Sequence, residues 1–364
     1  MGFIENEERR LLMEFEMEEL KRILVACSGR KDDEESKGSR RSNTEIIADY
    51  DHGDKVVCVT SGVSFLGLAI VNRLLRGGYS VRIIVHTQEE MEKLRELETA
   101  GEMGSGNSSI KAVMAKLTEM ESLSEAFEGC RGVFHTSCFT DPAGLSGYTK
   151  CMAEIEVRAC ENVMKACSRT ASVRNCVLTS SLLACIWRDA SSQQLSPLIN
   201  HQSWSHESFC AHKKLWYALG KVKAEKAAWR IAKENGLKLA TICPALITGP
   251  DFYHRNPTST IAYLKGAQEM FADGLLATID VMKLAEAQVC VLEAMNKTAY
   301  GRYICFDNVI QSESQAERLA KQTGLPASKI CGNLPDRIPV RFELSNKKML
   351  TLMSTPLRNC FNQS

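Results

Sequence analysis

The stretch "KVVCVTSGVSFLGLAIVNRLL", Lys55 to Leu75, decides the fold. It opens with the apolar run "VVCV", passes through a short loop of small residues, and continues from about Phe65 with apolar residues at helical spacing. This order predicts a buried β-strand, a tight loop and an α-helix. Because the first backbone N–H groups of a helix have no partner within it, such a loop is a ready place for a phosphate group.

The same alternation of elements continues along the chain. Further apolar runs read as strands: "SVRIIV", "KAVMAKL", "GVFHTS", "NCVLTSS" and "KLATICP", with helical segments between them. Continuous apolar strands separated by helices favour a parallel sheet covered on both faces, which is a doubly wound α/β fold of the Rossmann type. We expect three regions: a helix and disordered linker over 1–53, a dinucleotide-binding Rossmann domain over 54–250, and a smaller substrate-binding lobe over 251–364 that interleaves with it.

Composition excludes several functional classes. The 364 residues carry 45 Lys and Arg against 44 Asp and Glu, so no overall charge favours nucleic acid or an anionic membrane, although a local basic patch stays open. The 15 cysteines are scattered through apolar runs without zinc spacing, which predicts free thiols and no metal site. The acidic start "MGFIENEERR" and the lack of an 18-residue apolar run predict a cytoplasmic protein with no membrane partner.

The loop can be compared with the phosphate-binding pattern T-G-x-x-G-x-x-G. Thr60 and Gly67 match it, while Ser61 and Ser64 replace the first two glycines. Glycine serves where φ is positive or where a backbone approaches a ligand closely. We expect Gly62 to take the unusual dihedral, and the serine hydroxyls to bond phosphate oxygens. The loop residues expected at the cofactor are Thr60, Ser61, Gly62, Ser64, Phe65, Leu66 and Gly67.

A second informative stretch is "KKLWYALGK", Lys213 to Lys221. Residues four apart share one face of a helix, so the phenol of Tyr217 and the ammonium of Lys221 can point into one cavity. A nearby cation lowers the pKa of a phenol, which would make the two an acid–base couple. The same spacing also fits a solvated helix face, and this alternative stays open.

Five stretches, taken in order, carry a resemblance to a known family. They are "SLSEAFEGCRGVFHTS" (122–137), "VRACENVMKAC" (157–167), "VLTSS" (177–181), "SWSHESFCAHKKLWYALGK" (203–221) and "ICPALITGP" (242–250). As a set, over about 55–307, they resemble the plant cinnamoyl-CoA reductase and dihydroflavonol reductase group of extended short-chain dehydrogenases/reductases. The resemblance implies a Rossmann fold, NADPH as cofactor, and reduction of an aromatic acyl-CoA thioester or a related carbonyl in phenylpropanoid metabolism, including lignin biosynthesis.

The resemblance also implies roles for individual residues. Tyr217 would protonate the carbonyl oxygen, Lys221 would support Tyr217 and reach the nicotinamide ribose, and Ser181, with Ser180 in reserve, would donate to the same oxygen. Asn162 would hold a water or a carbonyl that links Lys221 to solvent. Pro244 is expected to border the cofactor. His135 is expected to line the cofactor cleft without a catalytic role, and Cys210 is not expected to be a nucleophile because nothing local lowers its pKa.

The chain departs from the family at positions that bear on cofactor and substrate. His86 stands at the end of the second strand where the family tends to have arginine, and the absence of a carboxylate there favours NADP. Lys116 replaces an aspartate at the adenine edge, and Leu215 replaces an asparagine near the substrate. A second hypothesis therefore stays open, in which the chain is a reductase-fold scaffold or sensor with weak or no nucleotide binding. The sequence indicates no oligomeric state.

Overall fold

The structure is a computed structural model that describes residues 55–103, 109–136, 148–188, 196–332 and 341–354. The chain divides into two units, Met1–Tyr50 and Asp51–Ser364. The N-terminal helix and linker expected over 1–53 lie outside the described residues.

The central sheet contains seven strands, every neighbouring pair of which is parallel. Its strands are β1 (Val56–Val59), β2 (Ser80–Val85), β3 (Ile110–Met114), β4 (Gly132–His135), β5 (Asn175–Thr179), β7 (Lys238–Pro244) and β10 (Gly301–Cys305). They lie in the order β3-β2-β1-β4-β5-β7-β10, which confirms the predicted doubly wound sheet. Because β10 follows position 250 in the chain, the sheet draws strands from both sides of that position, and the boundary of the substrate lobe stays a prediction.

Smaller sheets and the helices complete the described part. The other strands are β6 (Leu198–Ile199), β8 (Leu246–Thr248), β9 (Ala277–Asp280), β11 (Asn308–Val309) and β12 (Glu343–Leu344). The helices are α1 (Phe65–Arg76), α2 (Gln88–Thr99), α3 (Met120–Phe127), α4 (Lys150–Arg169), α5 (Leu183–Ile186), α6 (Glu207–His212), α7 (Trp216–Asn235), α8 (Phe252–Arg255), α9 (Pro257–Leu264), α10 (Ala267–Ala272), α11 (Val281–Ala294), α12 (Glu313–Thr323), α13 (Ala327–Cys331) and α14 (Lys347–Ser354). None of the described helices is both long and apolar enough to cross a membrane.

The two faces of the central sheet carry separate hydrophobic cores. Successive residues of a strand point to opposite faces, so Val57 and Val59 join the core beneath α1 and α11, while Cys58 joins the core beneath α3, α4 and α7. Burying each such aliphatic side chain stabilises the fold by about 1.5–3 kcal/mol. Burial on both faces explains why the strands read as continuous apolar runs.

The helix expected over "KKLWYALGK" starts later than its sequence suggests. Helix α6 ends at His212, the chain turns through Lys214 with φ 53°, and α7 begins only at Trp216. The turn is closed by the Leu215 amide, which donates to the carbonyl of Cys210. Tyr217 therefore lies in the first turn of a new helix.

The order of the strands in the sheet identifies the carboxyl ends of β1 and β4 as the location of the candidate site. After β3 the chain returns to the other side of β1 to form β4, so the crossovers diverge between β1 and β4. Ligands of open α/β sheets bind beyond the carboxyl ends of the strands at this switch point. Here those ends lead directly into Thr60, Thr136 and Ser180.

Candidate active site

The loop between β1 and α1 is tightly closed by its own polar groups. The Ser64 hydroxyl donates to the carbonyl of Ser61 at 2.7 Å and accepts from the backbone N–H of Gly67 at 3.1 Å. Ser64 is thereby the N-cap of α1, a position that serine favours. In this arrangement its hydroxyl hydrogen is directed to Ser61, and a bond from Ser64 to a phosphate oxygen stays a prediction. The first turn of α1 holds no acidic residue that would repel a phosphate.

The two glycines of this loop are required for close packing. A Cβ at Gly67 would overlap the carbonyl group of Ser61, and a Cβ at Gly62 would lie 2.6 Å from Cγ2 of Ile83. Gly62 does not have a positive φ, so the expected unusual dihedral is wrong. What excludes a side chain at Gly62 is the neighbouring strand β2.

The ends of β1 and β4 meet through Thr60. Its hydroxyl accepts from the backbone N–H of Thr136 at 3.3 Å and lies 3.1 Å from Nδ1 of His135. The hydroxyl of Thr136 is itself buried and has no hydrogen-bond partner within the described ranges. Burial, helped by the charges of Lys221 and His86, lowers the pKa of His135 to about 3. His135 is therefore neutral at physiological pH, in line with the structural role expected for it.

The segment after β2 holds a carboxylate that the sequence argument overlooked. His86 directs Nδ1 to the carbonyl of Ala115 at 2.9 Å, so this nitrogen carries the hydrogen. The backbone N–H of His86 donates at 2.7 Å to the carboxylate of Glu90, four residues along the chain. An acidic group thus stands beside His86 although none occupies position 86. Lys116 pairs with Glu119 at 3.1 Å.

The two serines after β5 have different partners. Ser180 donates its hydroxyl to Glu225 at 2.7 Å, whereas the Ser181 oxygen accepts from the backbone N–H of Leu183 at 3.2 Å. That bond leaves the hydroxyl hydrogen of Ser181 able to donate elsewhere. The next amide, Leu182 N–H, donates to the carbonyl of Pro244 at 2.7 Å, which joins the ends of β5 and β7.

Tyr217 and Lys221 are brought together on α7, in an interior setting. The Lys221 ammonium lies 5.5 Å from the centre of the Tyr217 ring, and Lys221 is only 4% exposed. The alternative of a solvated helix face is therefore wrong for Lys221. The same ammonium lies 2.6 Å from Oε1 of Glu156 on α4, and the Tyr148 hydroxyl donates to Oε2 of Glu156. The rings of Tyr148 and Tyr217 meet edge to face with centres 5.0 Å apart.

Asn162 lies on the same helix as Glu156 but contacts a different segment. Its side-chain amide donates to the carbonyl of Leu117, beyond β3, at 3.0 Å. Six residues separate it from Glu156, which is about 9 Å along a helix axis. Asn162 thus holds a backbone carbonyl of the loop after β3. Its relay role for Lys221 stays a prediction.

Glu156 was missed although the sequence contains a signal for it. The buried face of α4 repeats at spacings of three and four residues, through Ala153, Glu156, Cys160, Val163 and Cys167. A glutamate in the middle of such a stripe must be buried, and a buried carboxylate needs a partner. The periodicity could have identified Glu156, but it could not have named Lys221 as the partner.

The described part of the chain offers neither a metal site nor a reactive thiol at Cys210. It contains no group of three His, Cys, Asp or Glu side chains arranged to hold a metal ion. Its twelve cysteines are free thiols. Burial, followed by the charge of Glu207, raises the pKa of Cys210 to about 12, so this thiol is a poor nucleophile.

The carboxyl edge of the sheet suits a dinucleotide. The close approach of Gly67 to Ser61 leaves the start of α1 compact. The buried hydroxyl of Thr136, which has no hydrogen-bond partner among the described residues, directly follows β4 at the switch point where such a molecule would bind. Lys221 adds an ammonium group on α7. These groups could hold the pyrophosphate and a ribose.

Comparisons with known proteins identify relatives of this chain in sequence and in fold. Residues 58–305 match the model of the 3-beta hydroxysteroid dehydrogenase/isomerase family. Cinnamoyl-CoA reductase 1 of Petunia hybrida is 32% identical over 318 residues, which covers 85% of this chain and 91% of the relative. Tetraketide alpha-pyrone reductase 1 of Arabidopsis thaliana is 32% identical over 317 residues, covering 84% and 93%. The solved structure of a yeast methylglyoxal/isovaleraldehyde reductase complexed with NADPH shares the fold, with a TM-score of 0.61, 21% identity, and coverage of 84% and 94%.

Proposed function

The chain belongs to the 3-beta hydroxysteroid dehydrogenase/isomerase family, and from that premise we propose that it is an NADPH-dependent reductase of an aromatic acyl-CoA thioester or a related small carbonyl compound. The observation that carries the proposal is the Tyr217–Lys221 pair, in which a buried ammonium lies 5.5 Å from the phenol ring. Reductases named for cinnamoyl-CoA and for a tetraketide pyrone are equally similar to the chain, which is why the substrate is proposed as a class.

NADPH, when bound, supplies the hydride. As the carbonyl oxygen gains negative charge, Tyr217 donates its hydroxyl proton to it and Ser181 donates a hydrogen bond. Lys221 stabilises the phenolate that forms on Tyr217 and binds the ribose. Ser180 is the weaker candidate for the serine role, because its hydroxyl donates to Glu225. For an aldehyde or ketone, one NADPH and one proton are consumed and the carbonyl becomes a hydroxyl. For an acyl-CoA thioester, the same addition of hydride and proton is followed by cleavage of the C–S bond, so that one NADPH and one proton yield an aldehyde, free CoA thiol and NADP⁺.

The cofactor preference follows from the segment after β2. His86 would face the 2′-phosphate, and the loop from Thr60 to Gly67 would hold the pyrophosphate at the start of α1. Glu90 would favour an unphosphorylated ribose, but its carboxylate already accepts the N–H of His86. We therefore expect NADPH to bind more tightly than NADH. A cytoplasmic location, where free thiols are stable, fits the same proposal.

The second candidate is a reductase-fold scaffold with weak or no nucleotide binding. It is favoured by the closed loop, in which Ser64 bonds both Ser61 and Gly67 and so offers fewer groups to a phosphate. Titration with NADPH, followed by nicotinamide fluorescence, separates the two candidates. Reductase function predicts a dissociation constant of tens of micromolar or lower. It also predicts NADPH oxidation with feruloyl-CoA or with one of a small panel of aromatic aldehydes and ketones. Absence of binding would favour the scaffold.

A further inference from the structure

Glu156 is a buried carboxylate that meets two different partners. Oε1 lies 2.6 Å from the Lys221 ammonium, and Oε2 accepts the hydrogen bond of the Tyr148 hydroxyl. The side chains of Glu156 and Lys221 are each 5% exposed. Buried charges persist in proteins when they are paired and hydrogen-bonded, and both conditions are met here.

Resting on the proposed function, we propose that Glu156 is a positioning residue of the active site, which fixes the Lys221 ammonium beside Tyr217 and keeps it charged. Lysine is a point charge on a flexible stem, so a buried lysine needs a fixed partner to hold one position. Burial alone favours the neutral amine, and the carboxylate at 2.6 Å opposes this. The second carboxylate oxygen is held by Tyr148, whose ring packs against the edge of Tyr217, so the four groups form one continuous cluster.

The other titratable groups around this pair cannot substitute for Glu156. From β4, His135 is kept neutral by burial, with a pKa of about 3. From α4, Cys160 has its pKa raised by burial and by neighbouring Cys176 and Glu156, so it stays a thiol. From α7, Glu225 is bonded to Arg302. The cavity that these groups line has a volume of ≈ 10 Å³, which is room for about one water molecule.

Glu156→Gln keeps the shape of the side chain and removes its charge. We expect the NADPH dissociation constant of the variant, divided by that of the wild type at the same pH, to rise about tenfold between pH 6 and 9, because a hydrogen bond from a neutral amine is weaker than one from an ammonium. The ratio isolates Glu156, since the rest of the site, including His86, is the same in both proteins. The alkaline limb of kcat should move to lower pH in the same variant. Glu156→Asp, which restores the charge, should bring this ratio most of the way back to a constant value. Glu161→Gln is the matched control, because Glu161 lies on the same helix and pairs with exposed Arg230.

A thermal-unfolding cycle tests the pairing without cofactor or substrate. Glu156→Gln and Lys221→Met should each lower Tm by about 5–10 °C, because each leaves a buried polar group without its partner. The double variant should recover at least about half of the summed loss, since neither charge remains. If the Tm losses of the two single variants simply add in the double variant, the proposal is overturned. It is also overturned if the losses are coupled but the ratio of NADPH dissociation constants shows no pH shift, because Glu156 would then be structural. Failure of the wild type to bind NADPH at any pH overturns the proposed function itself, and with it the role of Glu156 in that site.

Discussion

Two buried ion pairs lie one helical turn apart on α7, and they differ in what surrounds them. Glu225 is fully buried and accepts from Arg302 at 2.7 Å, from Thr241 at 2.6 Å and from Ser180 at 2.7 Å. Arg302 in turn lies 3.6 Å from the centre of the Trp204 ring. The Lys221–Glu156 pair instead adjoins two phenols, Tyr148 and Tyr217.

We infer from this difference that the Arg302–Glu225 pair is structural and that the Lys221–Glu156 pair serves the proposed reaction. The planar guanidinium of Arg302, together with the hydroxyl groups of Thr241 and Ser180 that also bond Glu225, fixes one arrangement in which each oxygen of the carboxylate is engaged. Lys221 is a single ammonium whose position depends on Glu156, and the Tyr217 ring beside it carries an ionisable hydroxyl. Burial of a charge therefore does not by itself mark an active site. The chemical character of the neighbours distinguishes the two pairs.

The largest effect is expected at the phenol beside Lys221. Tyr217→Phe removes only the hydroxyl, so kcat should fall by about 10²–10⁴-fold while NADPH affinity changes little. The measurement is NADPH oxidation with whichever substrate of the panel the wild type reduces. Tyr300→Phe makes the same chemical change at a side chain that is 75% exposed, and it should leave kcat unchanged. Retention of more than about a tenth of the wild-type rate in Tyr217→Phe would show that this pair is not the acid–base couple.

Breaking the other pair should affect stability instead of chemistry. Glu225→Gln leaves the Arg302 charge buried without its counter-ion, and we expect it to lower the free energy of unfolding by about 3–5 kcal/mol. Urea unfolding would measure the loss, and kcat per folded molecule should stay within about twofold of wild type if general acid–base groups are untouched. A variant of wild-type stability with reduced kcat would reverse the roles assigned to the two pairs.

His135 lines the cavity between the two pairs and gives a smaller, pH-dependent effect. The pKa of His135 falls from 6.5 in the unfolded chain to about 3 in the fold, chiefly because of burial. As pH falls, His135 therefore takes up its proton in the unfolded chain before it does so in the folded protein. The stability that neutral His135 contributes is present above pH 6.5 and is lost between pH 6.5 and about 3, at up to about 1.4 kcal/mol per pH unit.

Urea midpoints at pH 7 and pH 5 measure this dependence. In His135→Gln the difference between the two midpoints should shrink, whereas His206→Gln, at an exposed histidine, should leave it as in the wild type. An unchanged difference in His135→Gln would mean that other groups account for the acid sensitivity.

The sequence predicted the elements well because each depends on local pattern. The apolar runs identified six strands of the central sheet, β1 to β5 and β7. Ser64 stands at the start of α1, where its hydroxyl caps the helix. The contact of Glu156 with Lys221 could not be predicted, because 65 residues separate them and the packing of α4 on α7 sets their distance. The turn at Lys214 was equally hidden, since a non-glycine residue takes positive φ there. Gly62 is required by Ile83 of the neighbouring strand, which local pattern does not reveal.

The smallest effect is expected at a third ion pair, which joins α4 and α7 as the Lys221–Glu156 pair does. Its exposed setting makes it the reference for the two buried ion pairs. Arg230 on α7 lies 3.1 Å from Glu161 on α4, with the two side chains 56% and 26% exposed. Water already solvates both groups, so their attraction is screened, and Glu161→Gln should lower the free energy of unfolding by no more than about 1 kcal/mol. The same substitution at Glu156 removes the same charge from the same helix in a buried setting, so the difference between the two variants isolates burial. If urea unfolding gave equal losses for Glu156→Gln and Glu161→Gln, burial would not strengthen the Lys221 pair, and its distinction from an ordinary surface contact would be lost.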